Sequence, residues 1–257
     1  MEPLGAEEID RFVAHGFLRL NDAFTSEAAA RATSVLCDAA GIEAGEPSSW
    51  DGPVLRIDGS THPAVTATIN TERVVGAIDQ LVGKDNWLPR SVGFGTFPVR
   101  FPSEADPGDA GWHIDGSFGK PPLYRVNLAS RGRALLLLML FTDVGDRDAP
   151  TRIRVGSHSH VARALQEVEG DIFFVPEQHA PGALDLPIEH AVGPAGTVYL
   201  CHPFLVHAAN WPHTGVGPRL VGQPAIHHPE GEWLGGFDYE ADPDSPVKRA
   251  VRLSLAQ

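Results

Sequence analysis

Near the N-terminus the apolar residues fall at helical spacing. Ile9, Phe12 and Val13 line one face of a segment over residues 6–15, with Glu7 and Glu8 in its first turn and Gly16 at its end. Phe17-Leu18-Arg19-Leu20 then reads as a short strand. Thr25 is placed to cap an alanine-rich helix from Ser26 to Ala40 that Gly41 stops, and a third helix is predicted from Thr71 to Val82, closed by Gly83.

From Ser91 the texture changes, and short apolar runs alternate with Gly- and Pro-containing turns. The pattern predicts strands over Val92–Val99, Gly111–Ile114, Ala134–Thr142, Arg152–Val155, Thr197–Cys201, Leu205–Ala208 and Leu220–Ile226. Ala134 to Phe141 lacks alternation, as expected of a strand covered on both faces. Ser157 to Glu167 reads as a short helix with Ser157 as its cap, and segments 43–62, 101–110, 116–132 and 176–194 read as long loops.

Many short strands with frequent turns predict a mainly β fold with flanking helices, built on a double-stranded β-helix (jelly roll, cupin-like) core of two facing sheets. One domain over residues 1–257 is expected: a helical part over 1–90, the core over about 91–226 and a tail over 227–257.

Composition narrows the function classes. With 42% hydrophobic residues the chain can bury a sizeable core. A net charge of −13 and the lack of a basic patch argue against nucleic acid as partner. Arg125 to Arg133, the densest basic stretch, reads as a loop before an apolar strand. Cys37 and Cys201 have no metal spacing and suggest no disulfide framework. The chain opens on Met1-Glu2-Pro3 without a basic, apolar or cleavable signal, and no apolar run could span a membrane. A cytoplasmic protein with a small-molecule substrate and no membrane partner is the expectation.

The candidate chemistry lies in His113-Ile114-Asp115, with a further histidine and Arg219 far downstream. In a strand, His113 and Asp115 share a face while Ile114 points into packing. Two imidazoles and one carboxylate are the ligand set of non-haem Fe(II) oxygenases, which leaves positions open for other ligands. His202, His207 and His213 compete for the third place. His207 is favoured, because it follows the apolar run Phe204-Leu205-Val206 and a hairpin could return Arg219 beside it. His202 is then expected to line the pocket, and His213 to sit in the exposed turn. An arginine facing inwards needs an anion, and its planar fork matches a carboxylate. Arg100, Arg125, Asn127 and Thr151 are candidate co-substrate or substrate contacts, and Trp112 and Phe118 candidate pocket walls. The same ligands could serve a zinc hydrolase or isomerase, or the chain could be a ligand-binding jelly roll without turnover.

The ordered set Gly111-Trp112-His113-Ile114-Asp115-Gly116, Leu140-Phe141-Thr142-Asp143-Val144, Arg154-Val155-Gly156-Ser157-His158, His207-Ala208-Ala209-Asn210 and Arg219 resembles the phytanoyl-CoA dioxygenase family of iron- and 2-oxoglutarate-dependent oxygenases. Ile9 to Leu20 is similar to that family's opening helix and strand, so the resemblance runs from about residue 5 to about residue 226. It implies Fe(II) held by His113, Asp115 and His207, with O2 and 2-oxoglutarate as co-substrates, the distal carboxylate of the latter on Arg219. It also implies release of succinate and CO2 with hydroxylation of a C–H bond. Halogenases of this kind replace the carboxylate ligand by a small residue, and Asp115 is present, so halogenation is not expected. Ala209 departs from members that carry a hydroxyl residue there in support of the same carboxylate.

Overall fold

A computed structural model of the chain describes residues 3–43, 45–89, 95–115, 124–168, 170–229 and 245–257. Its first elements are α1 (Ala6–His15), β1 (Phe17–Leu20), α2 (Ser26–Ala40), β2 (Val54–Ile57), α3 (Pro63–Ile69) and α4 (Glu72–Val82). The three expected helices have the expected ends. Gly16 and Gly41 adopt the left-handed conformation that stops α1 and α2, and the hydroxyl of Thr25 accepts the Ala28 amide at 3.2 Å. Helix α3 and strand β2 were not expected; β2 lies within the segment read as the loop 43–62.

The β-rich part comprises β3 (Phe97–Arg100), β4 (Leu135–Leu140), β5 (Arg152–Arg154), β6 (Ile188–His190), β7 (Val198–Cys201), β8 (His207–Ala208), β9 (Arg219–Gly222) and β10 (Ala225–Ile226). The larger sheet has the order β1-β7-β4-β9-β3-β2, with β10 also on β4, and the smaller is β6-β5-β8; every pairing is antiparallel. Strand β4 explains how they stack. Leu135, Leu137 and Met139 pack in the cluster that includes residues of α2, α3 and α4. Leu136, Leu138 and Leu140 turn the other way and, with Tyr199 and Val221 of the neighbouring strands, pack in a cluster with Ile153 of the smaller sheet. This strand is therefore covered on both faces, and the two facing sheets form the jelly-roll core.

Several expected elements are corrected. The strand expected over Leu220–Ile226 is two strands, because Gln223 turns its amide to the carbonyl of Thr96 and Pro224 has no amide to give. Gly111–Ile114 forms a single bridge at His113, and Leu205–Ala208 shortens to β8. The segment 176–194 contains α6 (Pro176–His179), a 3-10 turn at Pro181–Asp185 and β6. Ser157 does not cap α5 (Ser157–Gln166); Gly156 does, at φ 80°, while the Ser157 hydroxyl accepts the Val206 amide at 2.8 Å. The expected tail ends in a helix, α7 (Pro246–Leu255), which packs against α1, α4 and α5 and buries Val247, Ala250 and Val251. No helix among the described residues is long and apolar enough to cross a membrane.

Two histidines are sealed beneath these helices. His158 donates from Nε2 to the carbonyl of Val13 at 3.1 Å, and its ring lies 5.1 Å from that of His202. Burial pushes the pKa of His158 from an ordinary 6.5 down to about 4, and it lowers that of His202 too. Both are therefore neutral in the native state. Between pH 6.5 and about 4 the unfolded chain takes up a proton that native His158 refuses, so stability is intact above this window and falls as pH drops through it. At pH 5 the His158 contribution to the loss is about 2 kcal/mol. We expect the melting temperature to fall between pH 7 and pH 5, and to fall less in His158→Gln, which keeps a donor and does not titrate. Equal drops in the two proteins would contradict this.

Candidate metal centre

His113 and His207 are cross-strand partners. Each amide donates to the other's carbonyl, at 3.0 and 2.9 Å, which places their rings on one face with centroids 4.5 Å apart. Asp115 joins that face two residues on, while Ile114 turns away to pack in a cluster with Phe204 and Val206. The ligand atoms of His113, Asp115 and His207 all lie within 4.8 Å of one another. Of the competing histidines, the structure brings His207 to the pair.

The imidazoles are oriented by their own chain. Nδ1 of His113 donates to the carbonyl of Gly111 at 2.9 Å, and Nδ1 of His207 to that of Leu205 at 3.0 Å. Those bonds place the proton on Nδ1 and leave the Nε2 lone pair to face a metal. Burial, then the nearby His113, lowers the pKa of His207 to about 4 against the pull of Asp115, which keeps the ring neutral as a ligand must be. Burial pushes the Asp115 carboxyl up, but Arg133, His207 and His113 together more than offset it, and its pKa is lowered. The Arg133 guanidinium reaches Asp115 Oδ2 at 2.8 Å. Two imidazoles, that of His207 held neutral, and one ionised carboxylate fit a divalent iron centre.

Arg219 opens β9 on the face that also carries Val221 and so points between the sheets. It is 2% exposed, donates to the carbonyl of Ala149 at 2.8 Å, and its Nε is buried with no partner among the described residues. Burial, then the charge of Arg100, pulls its pKa down to about 9. Arg100 stands directly opposite in the β3–β9 register, equally buried. It bonds Asp109 at 2.6 Å, a carboxylate it shares with Arg56. Two guanidiniums side by side are costly, and an added anion would relieve them.

The other expected site residues are spread more widely. Thr151 is buried, on the Ile153 face of the β5 strand line. Asn127 donates to Asp171 at 2.8 Å, and Arg125 donates to that residue's carbonyl at 2.8 Å. Trp112 lies under two guanidiniums, Arg152 at 4.6 Å and Arg154 at 4.3 Å from its centroid. Arg152 also bonds the carbonyls of Ala110 and Ala209 at 2.6 and 3.0 Å, which ties together the segments that carry His113 and His207. Phe118 lies outside the described residues.

Two expectations about histidines are overturned. His202 does not line the pocket: it donates to the carbonyl of Val247 at 3.3 Å, under the C-terminal helix. His213 is not in an exposed turn; it is 4% exposed, pairs through its backbone with Ser103, and lies near Arg219. A cleft of about 180 Å³ opens at the candidate ligands, lined by His113, Asp115, Tyr124, Arg125, Phe173 and Phe174. Arg133, Tyr124 and Phe173 were missed. Arg133 gave only the weak signal of a charge directly before an apolar strand, and a long-range ion pair leaves no local pattern.

The phytanoyl-CoA dioxygenase (PhyH) family model matches residues 10–220. The chain belongs to the phytanoyl-CoA dioxygenase family. It is thereby an iron- and 2-oxoglutarate-dependent non-haem oxygenase, and its co-substrates are 2-oxoglutarate and O2. The hydrolase and binding-module alternatives give way to this class. Solved structures share the fold. The alpha-ketoglutarate-dependent carbocyclase SnoK from nogalamycin biosynthesis superposes with a TM-score of 0.61 at 17% identity, covering 88% of this chain and 84% of SnoK. EctD from S. alaskensis with bound Fe gives 0.58 at 20% identity, over 88% and 77%. The epimerase SnoN, in complex with Fe3+, alpha-ketoglutarate and nogalamycin RO, gives 0.54 at 17% identity, over 86% and 82%. No match was found among curated protein sequences.

Proposed function

We propose that this phytanoyl-CoA dioxygenase family member hydroxylates a C–H bond of a free small organic molecule. Its iron ligands are His113, Asp115 and His207, and Arg219 holds the distal carboxylate of 2-oxoglutarate. The whole chain acts as one domain in this reading, with α7 packed onto the helices before the core. The reaction balances as R–H, 2-oxoglutarate and O2 going to R–OH, succinate and CO2. The bound metal supplies the redox chemistry, and the protein supplies binding and orientation.

The observation that carries the reading is the Asp115 carboxylate within 4.8 Å of both histidine ligand atoms. A halogenase needs that place vacated for halide. Arg219 offers the co-substrate a buried Nε donor that has no partner among the described residues, and Arg100 adds a second cation from across the strand pair. Thr151 and Asn127 stay as further candidate contacts. On the open side, the half-exposed Tyr124 and the 56% exposed Phe173 flank the ligands and favour a substrate with an apolar face. No basic cluster suited to the phosphates of a CoA carrier is found in the sequence, which favours a free molecule.

A panel of small molecules tests this, with succinate release followed and products weighed. The expected result is succinate in step with a product heavier by one oxygen atom. Loss of two hydrogens or an unchanged mass would instead mark a ring-closing or epimerising enzyme, reactions named for SnoK and SnoN. A chlorinated product in chloride buffer would contradict the role given to Asp115.

A further inference from the structure

Asp115 is the most weakly supported of the three proposed ligands. His113 and His207 are fixed by a mutual pair of backbone bonds and by their Nδ1 bonds, whereas Asp115 lies beyond the bridge with its side chain 30% exposed. Among the described residues its side-chain hydrogen-bond partner is Arg133, from Nη1 to Oδ2 at 2.8 Å.

Arg133 stands on a firm base. Its amide donates to the carbonyl of Ser130 at 3.0 Å, while its own carbonyl accepts the Ser130 hydroxyl at 2.8 Å and Nε2 of His228 at 3.1 Å. It leads directly into Ala134 and the fully buried β4. The main chain at Arg133 is thereby fixed, and from it the largely buried side chain presents a planar fork to one carboxylate oxygen.

Coordination arithmetic gives that contact a consequence. A six-coordinate iron held by His113, Asp115 and His207 through one atom each would keep three positions for the co-substrates. A carboxylate that used both oxygens would close one of those three. We infer that Arg133 is a positioning residue of the metal centre, keeping Oδ2 of Asp115 when metal binds and so restricting that carboxylate to one coordination position through Oδ1. The inference rests on the reading of His113, Asp115 and His207 as the metal ligands, and it goes beyond that reading in assigning how Asp115 binds.

The test uses Co(II), whose visible absorption reports coordination, so no turnover is needed. Wild type, Arg133→Met, Arg133→Lys and His207→Ala are titrated with Co(II), and the loaded proteins then with 2-oxoglutarate. Loss of a group that orients a metal ligand typically weakens metal binding or activity by about 10–100-fold. Arg133→Met is expected to weaken Co(II) binding within that range, to weaken 2-oxoglutarate binding to the loaded protein, and to alter the Co(II) spectrum. Arg133→Lys, which keeps a donor and a charge without the fork, should recover part of each effect. If Arg133→Met unfolds, the Lys variant carries the test through its spectrum and its 2-oxoglutarate affinity. Co(II) binding as tight as wild type or tighter in Arg133→Met, with His207→Ala defective, would mean that Arg133 only competes with the metal, and would overturn the inference alone. Normal Co(II) binding in His207→Ala would instead overturn the ligand assignment beneath it.

Discussion

His207→Ala is expected to fold, to bind iron far more weakly than wild type, and to release no succinate above background. His207 has an inward ring, a neutral charge state and an Nδ1 bond to Leu205 that leaves Nε2 for the metal. Removing one of three protein ligands leaves a pair that holds iron far more weakly. His113→Ala and Asp115→Ala should match it. His202→Ala should do the opposite: it loses the bond to Val247 and packing under α7, costs about 1–3 kcal/mol of stability, and retains iron and turnover. Iron content and thermal melts of the four variants check this. Iron retained in His207→Ala and lost in His202→Ala would contradict the choice of third ligand.

Arg219→Ala is expected to bind iron normally and to need far more 2-oxoglutarate. The guanidinium is buried beside Arg100 and bonded to Ala149, and its Nε has no partner among the described residues. A carboxylate arriving there meets desolvated donors in a geometry only arginine offers. Truncating one member of such a pair costs about 2–5 kcal/mol, or roughly 30-fold to several thousand-fold in apparent affinity. Arg219→Lys should recover only part, since a point charge does not reproduce the fork. The chain lacks a hydroxyl at Ala209, so Arg219 has no helper there, and the larger end of that range is expected. Titrating 2-oxoglutarate at saturating iron decides it; three superimposable curves for wild type and the two variants would exclude Arg219 from the co-substrate site.

What the sequence disclosed is what short-range periodicity encodes. Helices α1 and α2 were legible because apolar spacing, a capping threonine and left-handed glycines coincide at their ends. Strand β4 was legible because six successive apolar residues suit a strand with no exposed face. The clustering of the candidate metal residues was legible in part because period two puts His113 and Asp115 on one side. Helix α7 was hidden by the Gly-, Pro- and Asp-rich stretch before it, although Ser245-Pro246 is itself a helix-start signal. His213 misled because Pro212, Thr214 and Gly215 around it suggest an exposed turn, while the fold packs that turn against Ser103. Ion pairs such as Arg133–Asp115 and Arg100–Asp109 join residues from different segments, so no local pattern could reveal them. The sites those pairs organise became visible only once the sheets were placed.

The central claim is that one chain holds iron on His113, Asp115 and His207 and directs 2-oxoglutarate onto it through Arg219. Anaerobic addition of 2-oxoglutarate to the Fe(II) protein tests it most directly, because a chelating 2-oxo acid on Fe(II) gives a visible charge-transfer band. The account predicts a saturable band in wild type, none in His207→Ala, and the same band at much higher 2-oxoglutarate in Arg219→Ala. A folded, iron-loaded wild-type protein that shows no band at saturating 2-oxoglutarate would contradict it.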